Sequence, residues 1–327
     1  MTLLAVENLK VAFNTRDGSV EPLSGISFHL DAGEILGIVG ETGSGKSVTA
    51  QAIMGLLPFL DGRVSGGRIL FKDQDLLTLT EKQWQQLRGN QISLISQNPM
   101  TSLDPVYQVG DQIVEGLKLH LDITWAAAEK RAIEVMTSLG IPQAEKVFHQ
   151  YPHQLSGGLK QRIVIAMGLC ADPQVLIADE PTTALDVTVQ AQIIELFKQT
   201  TRELNIGLIM ITHDLGIISH LCDTVIVMYA GTVVEAAPKN LIFTEPKHPY
   251  TLALLKCIPK LGMAARSLRA IPGNVPSVRT FPSGCRYHPR CPEAKAYCRE
   301  QVPETLELAH HTQVKCHQFS SQWRRVS

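Results

Sequence analysis

At 327 residues, with 44% hydrophobic and 19% charged positions, the chain carries enough apolar material for a packed core, which excludes disorder as its default state. The length suits one large α/β domain with an appendage. A net charge of −1 conceals an asymmetry, because residues 259 to 327 carry +7 and residues 1 to 258 carry −8. A basic tail of this kind is either a solvated face or a partner for nucleic acid, lipid head groups or an anionic cofactor. Charges at Glu7, Lys10 and Arg16 interrupt the opening before it can form a secretory leader, and no apolar run reaches the ~18 residues of a spanning helix. A cytoplasmic chain is expected, with any membrane role exercised through partners.

The opening, LLAVENLKVAF, a turn around Asp17 and Gly18, then ISFHL, alternates apolar and polar positions as half-buried strands do. EILGIVG is a short, continuously apolar run that reads as a buried parallel strand, and SVTAQAIMGLL after it has helical spacing. From about 99 to 173 the pattern is helical, with long periodic stretches at 109–120 and 125–139, which predicts a helical insertion. QVLIAD and IGLIMIT are two further buried strands separated by the helix-like VTVQAQIIELFKQTTREL, and VIVMY and TVVEA flank Ala230 and Gly231 as a hairpin. The alternation of strand and helix argues a largely parallel α/β sheet with an antiparallel β layer. Beyond residue 258 the texture turns to Pro, Gly and Ser among basic residues, which places the boundary between domains 1–258 and 259–327 near Pro259.

Between the first buried strand and its helix lies Gly40-Glu41-Thr42-Gly43-Ser44-Gly45-Lys46-Ser47, which fits the phosphate-loop pattern. Glycines let backbone amides turn inward around an anionic phosphate chain, and the helix N-terminus adds its positive end. In this pattern Lys46 reaches the β- and γ-phosphates of ATP and Ser47 binds Mg²⁺. The apolar strand ending in Asp179 and Glu180 supplies a carboxylate for Mg²⁺ and one to polarise water. Ser156, Gly157 and Gly158 form a helix start with exposed amides, which suits a γ-phosphate.

The order of phosphate loop, Leu155-Ser156-Gly157-Gly158 and acid pair resembles the ABC ATPases, and the resemblance spans residues 3 to 258. It implies an ABC-type ATPase fold with a RecA-like parallel sheet core, the antiparallel β layer and the helical subdomain. By the same resemblance Gln97 is the Q-loop glutamine and a Mg²⁺ ligand, Asp186 belongs to the D-loop, and His213 is the switch histidine. Phe13 is the adenine-stacking candidate, with a core phenylalanine as the alternative. Catalysis would rest on Glu180, His213 and Gln97. In this family the LSGG of one subunit closes the phosphate site of another, so a second ATPase subunit is implied.

The stretches Lys247-His248-Pro249-Tyr250-Thr251, Ile271-Pro272-Gly273-Asn274-Val275-Pro276 and Pro289-Arg290-Cys291-Pro292 resemble ATPases of dipeptide and oligopeptide importers. That resemblance implies peptide uptake at the cytoplasmic face of the inner membrane, two permease subunits, an extracytoplasmic binding protein and no nucleic acid. Importers of nickel or antimicrobial peptides share related ATPases, and a soluble non-transport ABC protein is the other alternative. Cys285, Cys291, Cys298 and Cys316 lie in one turn-rich segment where an intracellular compartment disfavours disulfides. Their wide spacing suits a [4Fe–4S] cluster, with zinc or free thiols as alternatives, and Arg286, Arg290, Lys295 and Arg299 are expected to offset the cluster's charge. The importer resemblance makes the ATPase partner a different chain.

Overall fold

β1 (Thr2–Thr15) buries Leu4 and Val6, then Leu9 and Val11. The switch from even to odd positions falls at Asn8, whose φ of 47° inserts one left-handed residue and so turns the apolar face back to the same side. β2 (Gly18–Asp31) lies beside it, and β3 (Ile35–Val39) is buried at every position, as a strand covered on both faces must be. The computed structural model describes residues 1–97, 99–182, 185–258, 270–321 and 323, with no side-chain description at 99 and 100. The expected boundary near Pro259 therefore lies outside the described residues.

α1 (Lys46–Ile53) starts at the lysine of the phosphate loop and stops sooner than the helical spacing predicts. Gly55, at φ 62°, takes the left-handed turn that ends it, and Leu57–Leu60 is a separate 3-10 turn. β4 (Gly62–Phe71) and β5 (Gln74–Asp75) complete a four-stranded sheet ordered β2-β1-β4-β5. α2 (Glu81–Leu87) opens with a capping box between Thr80 and Gln83, and β6 (Ile92–Ile95) follows.

The helical insertion is present as α3 (Pro99–Ser102), α4 (Val109–His120), α5 (Trp125–Ser138), α6 (Ala144–Phe148) and α7 (Gly157–Leu169). α4 buries Val109, Ile113 and Leu117, and α5 buries Ala128, Ala132 and Met136, so each presents a stripe at four-residue spacing to its neighbour. β7 (Val175–Asp179), α8 (Val187–Glu203) and β8 (Gly207–Thr212) follow. The chain continues through α9 (Leu215–Leu221), the hairpin β9 (Thr224–Tyr229) and β10 (Thr232–Pro238), α10 (Lys239–Thr244) and α11 (Pro249–Lys256). The tail adds α12 (Ala296–Glu300), β11 (Leu306–Leu308) and β12 (Thr312–Val314).

Contacts divide the chain into two units. The first comprises Met1–Leu4, Leu30–Ile35 and Thr78–Met210. In it β6 and β7 pair in parallel with Ile95 opposite Ala178, β8 lies next to β7, and α7 packs on β6. The second comprises Ala5–His29, Leu36–Leu77 and Ile211–Ser327. Its strands run β11-β12-β10-β9-β3, parallel between β3 and β9 and antiparallel from β9 outward.

The Pro-, Gly- and Ser-rich texture of the tail predicts an irregular C-terminal domain. Instead β12 pairs with β10, Glu235 opposite Val314, and so extends the ladder by two strands. Strands of three residues are too short to establish a period even where they alternate, as Leu306-Glu307-Leu308 does, which is why the sequence conceals them. Among the described residues no helix is long and apolar enough to cross a membrane.

Candidate functional site: the phosphate loop and its surroundings

The phosphate loop lies in the second unit, between β3 and α1. Gly40 must be glycine because a Cβ there would stand 2.2 Å from the carbonyl oxygen of Met228 on β9. Gly45, at φ 104°, caps α1 in the left-handed region and would drive a Cβ to 2.5 Å from Leu23. The β9–β10 hairpin braces the loop from outside, Gly231 N donating to Ser44 O at 2.9 Å.

Lys46 is only 6% exposed, and its ammonium donates to Gly40 O at 2.8 Å and Glu41 O at 3.2 Å. The charge is therefore held inside the turn of the loop. Ser44 is 1% exposed, and its Oγ has no hydrogen-bond partner among the described residues. A buried hydroxyl of this kind costs free energy until something accepts from it or donates to it. Glycine-shaped turns, an inward ammonium and an unpaired hydroxyl are the chemistry of an anion cradle, and a polyphosphate fits them. Ser47 is exposed on the first turn of α1. Phe13 is half-buried with its ring against Gly62 of β4, where a Cβ would meet it at 2.7 Å. His213 is exposed just beyond β8 in the same unit.

In the first unit Gln97 Nε2 donates to Glu180 Oε2 at 3.0 Å, so two residues 83 positions apart meet beyond the ends of β6 and β7. Parallel pairing of those strands brings their C-terminal ends to one edge. Asp179 closes β7 and Glu180 follows at φ 49°, a left-handed turn that breaks the strand direction between the two carboxylates. Ser156 caps α7, its Oγ accepting from Leu159 N at 3.3 Å, with Gly157 and Gly158 in the first turn. Asp186, the expected D-loop residue, caps α8 by accepting from Thr188 N and Val189 N at 3.1 and 3.0 Å.

Two anchors of the loop, Tyr250 on α11 and Arg290 in the tail, left little trace in the sequence. Tyr250, fully buried on α11, accepts at its hydroxyl from Glu41 N at 2.9 Å. Its own amide donates to Nδ1 of His248, and the Glu235 carboxylate accepts from Lys247 N and His248 N at 2.7 and 2.8 Å. Burial holds His248 neutral, with its pKa lowered to about 3, and raises the Glu235 carboxyl above its ordinary value. Arg290 forms a bidentate pair with Glu41. The only sequence signal was the presence of Tyr250 and Arg290 in the stretches resembling importer ATPases.

The four tail cysteines line one cavity with His288 and His317. Burial pushes the Cys285 thiol up, Cys291 to about 11 and Cys316 to about 12. Among the described residues no group of three or more His, Cys, Asp or Glu side chains is arranged to hold a metal ion, so the expected [4Fe–4S] ligation is not formed by these side-chain positions. The expected charge compensation is also redirected. Arg286 donates to Ala230 O and Ser24 Oγ, Arg290 faces Glu41, and Lys295 lies over the Trp323 ring at 4.2 Å.

A model described as "ABC transporter" matches residues 23–183, and one described as "Oligopeptide/dipeptide transporter, C-terminal region" matches residues 234–298. The dipeptide transport ATP-binding protein DppD of Bacillus subtilis is 47% identical over 96% of this chain and 94% of its own length. The chain belongs to the ATP-binding subunits of ABC-type dipeptide and oligopeptide transporters. DppD of Escherichia coli is 45% identical over 97% of both chains, so the likeness of this ABC ATPase to its relatives includes the tail. A dimeric ATP-binding cassette, MJ0796, solved in a post-hydrolysis state bound to ADP and Pi, superimposes with a TM-score of 0.65 over 72% of this chain and 99% of its own. At 23% identity that likeness establishes the ABC ATPase cassette fold. As a member of this family the protein hydrolyses ATP.

Proposed function

We propose that this ABC ATPase powers the import of dipeptides or oligopeptides from the cytoplasmic face of the inner membrane. The observation that carries this reading is similarity along nearly the whole chain, including the C-terminal region, to dipeptide and oligopeptide transport ATP-binding proteins. Its partners in this reading are a second, different ATPase subunit, two permease subunits and an extracytoplasmic binding protein. Domains 1–258 and 259–327 would act as motor and appendage.

At the nucleotide, Lys46 exchanges the loop carbonyls Gly40 O and Glu41 O for the β- and γ-phosphates, and the amides of Gly40 to Ser47 receive the remaining phosphate oxygens. Ser47, Gln97 and Asp179 would hold Mg²⁺, which supplies charge compensation on the transferring phosphoryl group. Glu180, steadied by Gln97, orients the attacking water, and His213 assists it. Ser156 to Gly158 of the partner subunit close over the γ-phosphate, while Phe13 offers its ring to adenine. The unpartnered Oγ of Ser44 supports a nucleotide in this loop. Cys285, Cys291, Cys298 and Cys316 would hold a [4Fe–4S] cluster that staples the tail, a reading supported by the cavity they share.

The cargo is tested by deleting the gene in a strain that requires a dipeptide as its source of one amino acid. Growth should fail and be restored by the wild-type gene but not by Lys46→Ala. Unimpaired dipeptide and oligopeptide uptake, with a defect confined to nickel or to an antimicrobial peptide, would replace the cargo assignment. Anaerobic purification should yield brown protein with about four irons per chain, and colourless protein containing stoichiometric zinc would replace the cluster.

A further inference from the structure

Arg290 belongs by sequence to the cysteine-rich tail, between Pro289 and Cys291, yet its side chain is only 4% exposed and points at the phosphate loop. Nη1 donates to Glu41 Oε2 at 2.7 Å and Nη2 donates to Oε1 at 3.0 Å. The remaining donors are also engaged: Nε to Pro272 O at 2.9 Å, Nη2 to Ile271 O at 3.3 Å and Nη1 to the Tyr229 hydroxyl at 3.4 Å. A planar guanidinium held by five contacts has no freedom to swing away. Its partner Glu41 is the second residue of the phosphate loop, whose carbonyl holds Lys46 and whose amide is tied to Tyr250.

A carboxylate inside a loop that must receive a polyphosphate is electrostatically wrong for the task. Like charges in a partly desolvated site repel by more than they do in water. Only a cation placed on that carboxylate removes the repulsion, and Lys46 is directed at the loop carbonyls instead. The tail supplies the cation from 249 residues away.

We propose that Arg290 is a positioning residue for ATP: by neutralising Glu41 it lets the phosphate loop accept the polyphosphate, and so makes nucleotide binding depend on the seating of the tail segment 271–291. The proposal rests on reading Gly40 to Ser47 as the nucleotide loop. Because Cys291, the next residue, lines the four-thiol cavity, a rearrangement there reaches the phosphate loop through a single ion pair.

The test uses the assembled transporter complex, reading ATPase KM and kcat together with equilibrium binding of a fluorescent ATP analogue. Arg290→Gln should raise the KM for ATP about tenfold while kcat stays within about twofold, the direction expected when one carboxylate in the loop is left uncompensated. Adding Glu41→Gln to the same chain should bring KM back to within about threefold of wild type. A wild-type KM in Arg290→Gln, or a raised KM that Glu41→Gln fails to restore, overturns the proposal. If Arg290→Gln does not assemble, Glu41→Gln alone decides: it leaves the guanidinium uncompensated beside the polyphosphate and should bind ATP at least as tightly as wild type, and weaker binding overturns the proposal. Lys46→Ala is the control for the loop itself. Undiminished ATP binding by that variant would overturn the loop assignment on which the proposal stands.

Discussion

Glu180 sits at a left-handed backbone position and accepts a hydrogen bond from Gln97, so its carboxylate is aimed by two constraints rather than one. Glu180→Gln retains the shape and loses the charge proposed to polarise water. ATP turnover by the assembled complex is expected to fall by roughly 10²–10⁴-fold with ATP binding intact, and turnover within a few-fold of wild type would remove Glu180 from its role. His248 makes a second prediction, about pH. Its ring is buried, its Nδ1 accepts from Tyr250 N, and its pKa is lowered from 6.5 to about 3. The unfolded chain therefore binds a proton that the folded one rejects. Stability from this group is full above pH about 6.5 and is lost as pH falls toward 3, by on the order of a few kcal/mol. Burial raises the Glu235 carboxyl, which acts in the opposite sense, its contribution being lost as pH rises. The acid-induced decline should flatten in His248→Asn, measured by urea midpoints from pH 7 to 4, and an unchanged slope would show that His248 does not set it.

Among the elements, the β9–β10 hairpin carries more than its own strands. Its turn glycine, Gly231, has φ 78°, receives Ser24 N on its carbonyl at 3.0 Å and gives its amide to Ser44 O. A Cβ there would lie 1.9 Å from Pro22 O. Gly231→Ala should therefore destabilise the protein by about 1–3 kcal/mol and weaken ATP binding together, since the backbone that braces the phosphate loop must move. Thermal melting with and without ATP would separate the two effects, and a variant as stable as wild type would contradict the packing. The start of α7 was legible in sequence because its cap is local, Ser156 bonding the amide three residues ahead, whereas the caps at Thr80 and Asp186 emerge only in the structure. Helix ends were less legible. α1 stops at Ile53 although apolar spacing continues, because Gly55 takes a left-handed turn that the pattern of side chains does not announce.

At the scale of the molecule, the tail clusters by contacts with Ala5–His29 and Leu36–Leu77 in the second unit. Truncation after residue 270 would remove β12 from the edge of β10, expose buried Tyr229 and Tyr250, and leave Glu41 without its counter-ion. Such a chain is expected to lose soluble expression or melt at a markedly lower temperature, as followed by circular dichroism, and a truncated protein with wild-type stability would refute the tail's structural role. The sequence by itself determined the strands of the core, the phosphate loop, the acid pair and the cap at Ser156, because each is written in a run of a few residues whose periodicity or turn chemistry is local. It also marked the four cysteines as one group. Only the tertiary structure decided what those parts meet: Gln97 with Glu180 across 83 residues, Tyr250 with the loop amide across 209, and Arg290 with Glu41 across 249. A salt bridge leaves no period and no spacing in the chain, since its partners are chosen by how the sheet stacks its strands, and that choice is made by the packing of the whole.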